Sequence, residues 1–205
     1  MSRKSALILL NGEVRDAKAV RAASRRSDYL LCADGGARHA ASLRLTPDWI
    51  VGDMDSQPKK RPQSWKKTRY WCDFDPERSD LDKTLEFARS LGIGSVLLAG
   101  VLGGGLDHEL INPAVLEESA KDLELAVIDG GIARLLGPGR HRLPLKKGER
   151  FSLLAAPRAR ASLTGAHFAL KNELLRRGSR GLGNRALGPV RLSVRAGRVW
   201  LITKG

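Results

Sequence analysis

The chain has 205 residues, of which 42% are hydrophobic and 28% are charged, and its formal net charge is +14 at pH 7. This composition is ordinary for a globular protein and excludes wholesale disorder, collagen and a miniature disulfide scaffold. Two cysteines are too few for a disulfide framework or a cysteine zinc cluster, and no apolar run is long enough for a membrane span. We therefore expect a cytoplasmic protein with no membrane partner.

Short apolar runs alternate with helical patterns over the first two thirds of the chain. Strands are predicted at residues 5–10, 29–33, 49–51, 69–71, 95–99 and 125–128. Helices are predicted at residues 14–25, 37–43, 79–91 and 106–121, the last of them kinked or restarted at Pro113. Buried strands that alternate with helices predict a three-layer α/β domain with a mostly parallel sheet, which we assign to residues 1–137.

The pattern changes after Gly137-Pro138-Gly139. Residues 1–139 contain 20 basic and 20 acidic side chains, whereas residues 140–205 contain 16 basic and two acidic ones. Short strand-like runs separated by glycine and basic turns predict a smaller antiparallel β-sandwich domain over residues 138–205. These runs are residues 151–154, 161–163, 190–194 and 199–202. The basic surplus favours polyanions as partners, although charge alone is a weak sign of function.

Acidic residues follow the predicted strands of the first domain. Asp34 follows the second strand, Asp53 and Asp55 follow the third, Asp80 begins the next helix, and Asp107 follows a glycine run after the fifth strand. The carboxyl ends of the strands of an open parallel sheet form its ligand crevice, so we expect these carboxylates to converge.

Converging carboxylates repel one another unless a cation lies between them. An oxygen-only ligand set without histidine or cysteine at metal spacing indicates Mg²⁺ or Mn²⁺. The glycine pairs Gly35-Gly36 and Gly103-Gly104 allow backbone N–H groups to approach phosphates. The chain contains no Walker A loop, no zinc-protease helix motif and no hydrolase nucleophile elbow.

Four segments, in order along the chain, resemble motifs of the thiamine pyrophosphokinase family. They are residues 33–37 (ADGGA), 47–56 (PDWIVGDMDS), 77–82 (ERSDLD) and 103–108 (GGGLDH) with Asn112 downstream. In the second domain, Ser152-Leu153-Leu154, Thr164-Gly165 with Phe168, and Gly183-Asn184 are similar to further family segments.

The resemblance implies transfer of diphosphate from ATP to the thiamine hydroxyl, giving thiamine diphosphate and AMP, in a homodimer that holds thiamine near the subunit interface. It implies metal binding and catalysis by Asp53, Asp55, Asp80 and Asp107. It places nucleotide contacts at Asp34, Gly35, Gly36, Glu77, Gly103, Gly104, His108 and Asn112, and thiamine contacts at Gly183 and Asn184.

Two departures from the family pattern leave the identity of the acceptor substrate open. Gly105 stands where the family commonly has arginine, and Gly183 replaces the serine of a Ser-Asn pair. One alternative is therefore a diphosphokinase that acts on another acceptor, such as a pterin alcohol. The other is a non-catalytic nucleic-acid-binding module built on the basic domain. The acidic clusters argue against nucleic acid as a partner, because without Mg²⁺ they would repel its phosphates.

Overall fold

Six parallel strands form the sheet of the first of two structural units. The computed structural model of the chain describes residues 3–204 and divides them after Gly130. The strands are β1 (Lys4–Leu9), β2 (Tyr29–Ala33), β3 (Trp49–Gly52), β4 (Arg69–Cys72), β5 (Ile93–Ala99) and β6 (Glu124–Ile128). Their order is β4-β3-β2-β1-β5-β6. The order reverses between β1 and β5, and in sheets of this kind ligands bind at such a switch point.

Helices cover this sheet. They are α1 (Ala17–Ser24), α2 (Ala37–Ser42), α3 (Asp80–Ser90) and α4 (Leu106–Ser119). Leu7 and Leu9 of β1 form a core cluster with residues of α1 and α2, and the intervening Ile8 is buried on the opposite face. Helix α3 contacts β2, β3 and β5. The predicted α/β domain with a parallel sheet is confirmed, and α4 runs through Pro113 as one helix.

Strand β4 is the outer strand of the sheet in this unit, and all four of its residues are exposed. The aromatic side chains of β4 and of the neighbouring β3 are partly covered by cations and by other rings. The Arg61 guanidinium lies 5.1 Å from the centroid of the Tyr70 ring, and that of Arg69 lies 4.7 Å from the Trp49 ring. The Trp71 ring lies 5.1 Å from that of Phe87.

The second unit is an antiparallel sheet. Its strands are β7 (Gly131–Leu136), β8 (Gly139–Arg142), β9 (Arg150–Ala166), β10 (Leu170–Arg176) and β11 (Asn184–Lys204). Strand β11 pairs with β7, β8 and β9, and β10 pairs with the other side of β9. Strands β9 and β11 are antiparallel to each other. As the residue number falls from Thr164 to Phe151 in β9, the paired residue in β11 rises from Arg191 to Thr203. Strand β7, which the sequence assigned to the first domain, lies in this unit.

The four short strands expected here are parts of two long ones. Residues 151–154 and 161–163 both belong to β9, and residues 190–194 and 199–202 both belong to β11. Register shifts bend the strands where the sequence pattern suggested that they end. At one such bend Gly197 has φ +74°, and a Cβ there would lie 2.1 Å from the carbonyl oxygen of Arg158. Only glycine fits this close approach.

Both cysteines are free thiols, Cys32 buried and Cys72 exposed. Within residues 3–204, no helix is long and apolar enough to cross a lipid bilayer.

We predict that Leu163→Ala destabilises the second unit strongly. Leu163 is 1% exposed in the core of that unit, so truncation leaves a cavity and should lower the free energy of unfolding by about 2–5 kcal/mol. Urea denaturation measures this change. Leu187→Ala is the matched control, since Leu187 is 52% exposed and the expected loss is below about 0.5 kcal/mol. Equal losses in the two variants would contradict this account of the core.

Candidate active site

A cleft of about 290 Å³ opens at the switch point of the parallel sheet. It is formed by the segments that follow β1, β2, β3 and β5 and by the first turns of α3 and α4. The residues that line it are Leu10, Asn11, Gly12, Ala33, Gly35, Asp53, Asp55, Ser56, Ser79, Asp80, Leu81, Gly100, Val101, Gly104, Gly105, His108 and Asn112. The sheet thus brings together the strand ends that the sequence marked with acids and glycines.

Asp34 anchors the loops around the cleft. It follows β2 with φ +28° and is fully buried. Its Oδ2 accepts a hydrogen bond from the Ser56 N–H at 2.8 Å, and its Oδ1 accepts one from Gln57 Nε2 at 2.5 Å. Burial raises the pKa of Asp34 and these two hydrogen bonds oppose the rise. The carboxylate therefore joins the end of β2 to the loop after β3.

That loop carries Asp53 and Asp55. The Asp55 N–H donates to Asp53 Oδ1 at 3.2 Å, and Met54 between them has φ +72°. One carboxylate oxygen from each of Asp34, Asp53 and Asp55 lies within 4.8 Å of the others. An all-oxygen set at this spacing fits a hard divalent cation such as Mg²⁺.

Asp80 faces the same cluster from the start of α3. Ser79 caps this helix, because its Oγ accepts the Asp82 N–H at 3.2 Å and donates to Asp82 Oδ2 at 2.6 Å. Gly52 has φ +146°, which favours glycine, and a Cβ there would lie 2.8 Å from both Asp34 Cβ and Asp80 Oδ1, so β3 passes close to these two acids. Burial, and then the charge of Asp34, raise the pKa of Asp80 to about 6.

Lys83 is a buried cation beside this cluster, which the sequence reasoning missed. Its Nζ lies 4.0 Å from Asp80 Oδ1, and its side chain is only 5% exposed. The charge of Lys83 opposes the rise in the pKa of Asp80. The spacing of three residues within one helix was the available signal, since such residues share a face.

Several other acids near the cleft already have partners. Arg78 forms ion pairs with Asp73 at 2.7 Å and Asp75 at 2.9 Å, and a third with Glu86. Glu77, which the resemblance placed at the nucleotide, is exposed outside the cleft lining, and its N–H donates to Asp75 Oδ1 at 2.9 Å. These contacts hold the loop before α3.

Asp107 is the one of the four predicted metal ligands that does not line the cleft. It is exposed, and its Oδ1 accepts the N–H of His108 at 2.8 Å. Its neighbours Gly105, His108 and Asn112 do line the cleft. The carboxylate grouped with Asp53 and Asp55 is that of Asp34, whose charge also raises the pKa of Asp80.

The predicted phosphate-binding glycines differ in position. Gly35 and Gly104 line the cleft. Gly104 is exposed there, whereas Gly35 is buried, and a Cβ on it would lie 2.5 Å from Asn11 Cγ. Gly36 instead packs against β1, since a Cβ there would lie 2.0 Å from the carbonyl oxygen of Leu9. The Gly103 N–H is used within the loop, donating to Glu109 Oε1 at 2.7 Å. Asn112 is buried and donates to the Val101 carbonyl at 2.8 Å.

The predicted thiamine residues lie in the second unit. Asn184 is buried, and its side chain accepts the N–H groups of Phe168 at 3.0 Å and Arg185 at 2.8 Å. It also donates to the Phe168 carbonyl at 2.9 Å. Gly183 donates its N–H to Ser152 Oγ at 3.1 Å. Asn184 and Phe168 line a mainly apolar cavity of about 500 Å³ in this unit.

Comparison with known proteins assigns the family. A family profile described as "Thiamin pyrophosphokinase, catalytic domain" matches residues 20–127, more than half of the chain. The chain belongs to the thiamin pyrophosphokinase family. The matched region contains Asp34, Asp53, Asp55, Asp80 and Asp107. Members of this family are kinase-type transferases. No curated protein matches the sequence significantly.

Solved thiamin pyrophosphokinase structures share the fold of the chain. The structure from Bacillus subtilis has a TM-score of 0.81 at 19% identity, covering 98% of this chain and 99% of that chain. The one from Geobacillus thermodenitrificans has a TM-score of 0.81 at 21% identity, covering 98% and 97%. The one from Candida albicans has a TM-score of 0.75 at 14% identity, covering 99% and 90%.

We predict that Asp80→Asn makes the metal-free protein more stable at pH 7.5. The pKa of Asp80 is raised in the folded state, so its ionisation opposes folding as the pH rises from about 4 through about 6. The carboxylate is 37% exposed and partly screened, and we expect a gain in melting temperature of about 2–4 °C with EDTA present.

The same substitution should give little gain at pH 4, where the Asp80 carboxyl is mostly protonated in the folded protein. Asp122→Asn is the control, because Asp122 pairs with Arg89 at 2.9 Å away from the cleft. A gain for Asp80→Asn that does not depend on pH would contradict the electrostatic explanation.

Proposed function

We propose that the chain transfers a diphosphoryl group from ATP to the hydroxyl of thiamine, in a Mg²⁺-dependent reaction that gives thiamine diphosphate and AMP. The observation that carries this proposal is the grouping of the Asp34, Asp53 and Asp55 carboxylates within 4.8 Å at the switch-point cleft. Family membership supports the acceptor and the reaction type.

The residues at the cleft fit a magnesium ion. Asp53 and Asp55 would supply direct ligands, with Asp80 facing them and Asp34 held behind them by Ser56 and Gln57. A bound Mg²⁺ would neutralise charge on the ATP phosphates and on these carboxylates. The raised pKa values of Asp34 and Asp80 agree with this proposal, because both indicate that negative charge at the cleft lacks enough compensation from the protein.

The chain itself positions the reactants. Gly104 is exposed in the cleft wall and places no side chain between the backbone and a phosphate group, and α3 and α4 begin at the rim of the cleft. The thiamine hydroxyl oxygen would attack the β-phosphorus while the bond from that phosphorus to the α–β bridging oxygen breaks and AMP leaves. We assign the hydroxyl proton to the Asp80 carboxylate, because burial and the charge of Asp34 raise its pKa to about 6, which suits a general base that acts near neutral pH.

A direct assay tests the reaction. Purified protein with ATP, Mg²⁺ and thiamine should form AMP and thiamine diphosphate in equal amounts. Chromatography measures both products. Asp53→Asn should lower kcat/KM by about 100-fold or more, because it removes charge at the metal position while keeping the side-chain shape. Asp122→Asn should retain activity, since that carboxylate forms a surface ion pair with Arg89. Near-normal turnover of Asp53→Asn would exclude the metal role.

The acceptor needs its own test, because Gly105 and Gly183 depart from the family pattern. The same assay with a panel of alcohols, including a pterin alcohol, distinguishes thiamine from another alcohol as the acceptor. AMP release with thiamine supports the proposal. AMP release with another alcohol and none with thiamine would keep the diphosphokinase chemistry and replace the acceptor.

A further inference from the structure

In the second unit, arginines on neighbouring strands lie directly opposite each other in two places. Arg158 of β9 is the partner of Arg176 of β10, and Arg142 of β8 is the partner of Arg191 of β11. Directly opposite residues in an antiparallel sheet point to the same side with their Cβ atoms about 5 Å apart, so like charges there destabilise the sheet. All four arginines are exposed, and within residues 3–204 none of them has an ion-pair partner.

These pairs lie on one outward face. Buried residues alternate with exposed ones along β9, where Ala159, Ala161 and Leu163 face the core. Arg158, Arg160, Ser162 and Thr164 therefore point outward, and the register of the sheet adds the neighbouring outward side chains of β8, β10 and β11. We define the arginine face as Arg140, Arg142, Arg158, Arg160, Arg176 and Arg191, together with these serine and threonine side chains.

No acid compensates this face within the described residues of its four strands. The only acid in these strands is Glu173, whose partner in β9 is the core-facing Ala161, and which forms an ion pair with Arg180. Thr164, opposite Arg191, is exposed, and Ser162, opposite Ser193, is partly exposed. The face is thus an array of guanidinium groups and hydroxyls, all of which can donate hydrogen bonds to phosphate.

The dimensions of the face indicate a polymer rather than a small anion. From Arg158 to Thr164 it extends about 20 Å along β9, and it is four strands or about 14 Å wide. Small polyphosphates bind in concave sites, and the cavity of about 500 Å³ in this unit is lined mainly by apolar residues on the core side of the sheet. A basic cavity of about 520 Å³ contains Lys146 and Lys147, but it includes only Arg142 of the six arginines of the face. An array of this length can meet several consecutive phosphates at once.

We propose that the arginine face binds the phosphate backbone of double-stranded nucleic acid without reading its sequence. The face carries no aromatic side chain on which unpaired bases would stack, which disfavours single strands. Leu174 is its one large apolar side chain among the described residues, which is too little to anchor it in a lipid surface. The acidic clusters that argued against nucleic acid as a partner all lie in the first unit, and the acids of the second unit are Glu149 and Glu173.

This proposal goes beyond the diphosphokinase reaction and does not depend on it. The test is fluorescence anisotropy of a labelled duplex of random sequence, with no ATP or thiamine present. Six phosphate contacts should weaken binding about 1000-fold between 50 and 200 mM salt. Arg142→Gln with Arg191→Gln should reduce the slope of log Kd against log salt by about 2. Arg158→Gln with Arg176→Gln should do the same.

Arg25→Gln with Arg26→Gln is the matched control, because both arginines are exposed in the first unit and the change in charge is the same. Its slope of log Kd against log salt should equal that of the unsubstituted protein. Equal slopes for the control and the paired variants, or no duplex binding at 50 mM salt, would overturn the proposal. Tighter binding to single strands or to phosphatidylserine vesicles than to the duplex would overturn it as well.

Thermal unfolding provides a second measurement on the same variants. Removing one pair of opposed like charges should raise the melting temperature at low salt, because the repulsion in the folded sheet is relieved. A higher melting temperature together with weaker binding supports the proposal, because it shows that the paired arginines destabilise the fold but strengthen binding of the duplex. A lower melting temperature would show that the pairs stabilise the fold, and it would remove the reason for assigning them to nucleic acid.

Discussion

Repulsion between carboxylates at one edge of a parallel sheet is the constraint on which the first unit depends. Asp34, Asp53, Asp55 and Asp80 come from two strand ends and a helix start, and the sheet forces them together. The protein offsets the repulsion only in part, through hydrogen bonds to Asp34 and through Lys83 beside Asp80. Unrelieved strain of this kind is concentrated at functional sites, where a ligand completes the balance of charge.

Much of this unit could be predicted because its signals are local. Apolar runs marked the buried strands, and the acids after them marked the cleft. Side-chain pairing could not be predicted, since it depends on rotamers and loop geometry. Arg78 neutralises Asp73 and Asp75, and Asp82 accepts a hydrogen bond from the capping residue of α3, contacts that the order of residues along the chain does not show. The strand ends predicted that Asp34 converges with the other acids, the family resemblance assigned it a nucleotide contact, and the structure places its carboxylate in the acidic cluster.

The second unit was harder to predict because its strands are long and bent. Bulges and glycines interrupt the alternation along β9 and β11, so one strand looks like two. The register between strands is a long-range property that no local pattern encodes. The overall basic surplus was therefore visible in the composition, whereas the opposition of Arg158 to Arg176 and of Arg142 to Arg191 required the pairing of the sheet.

The outer strand β4 has a consequence for how the protein behaves at high concentration. The free backbone groups of a terminal strand invite addition of a strand from another molecule. Here the cationic groups of Arg61 and Arg69 cover the aromatic rings of Tyr70 and Trp49, and the segment from Lys59 to Arg69 contains no acid. Two molecules that approach through this edge would bring these cations together, which protects an aromatic strand against fibrous self-association.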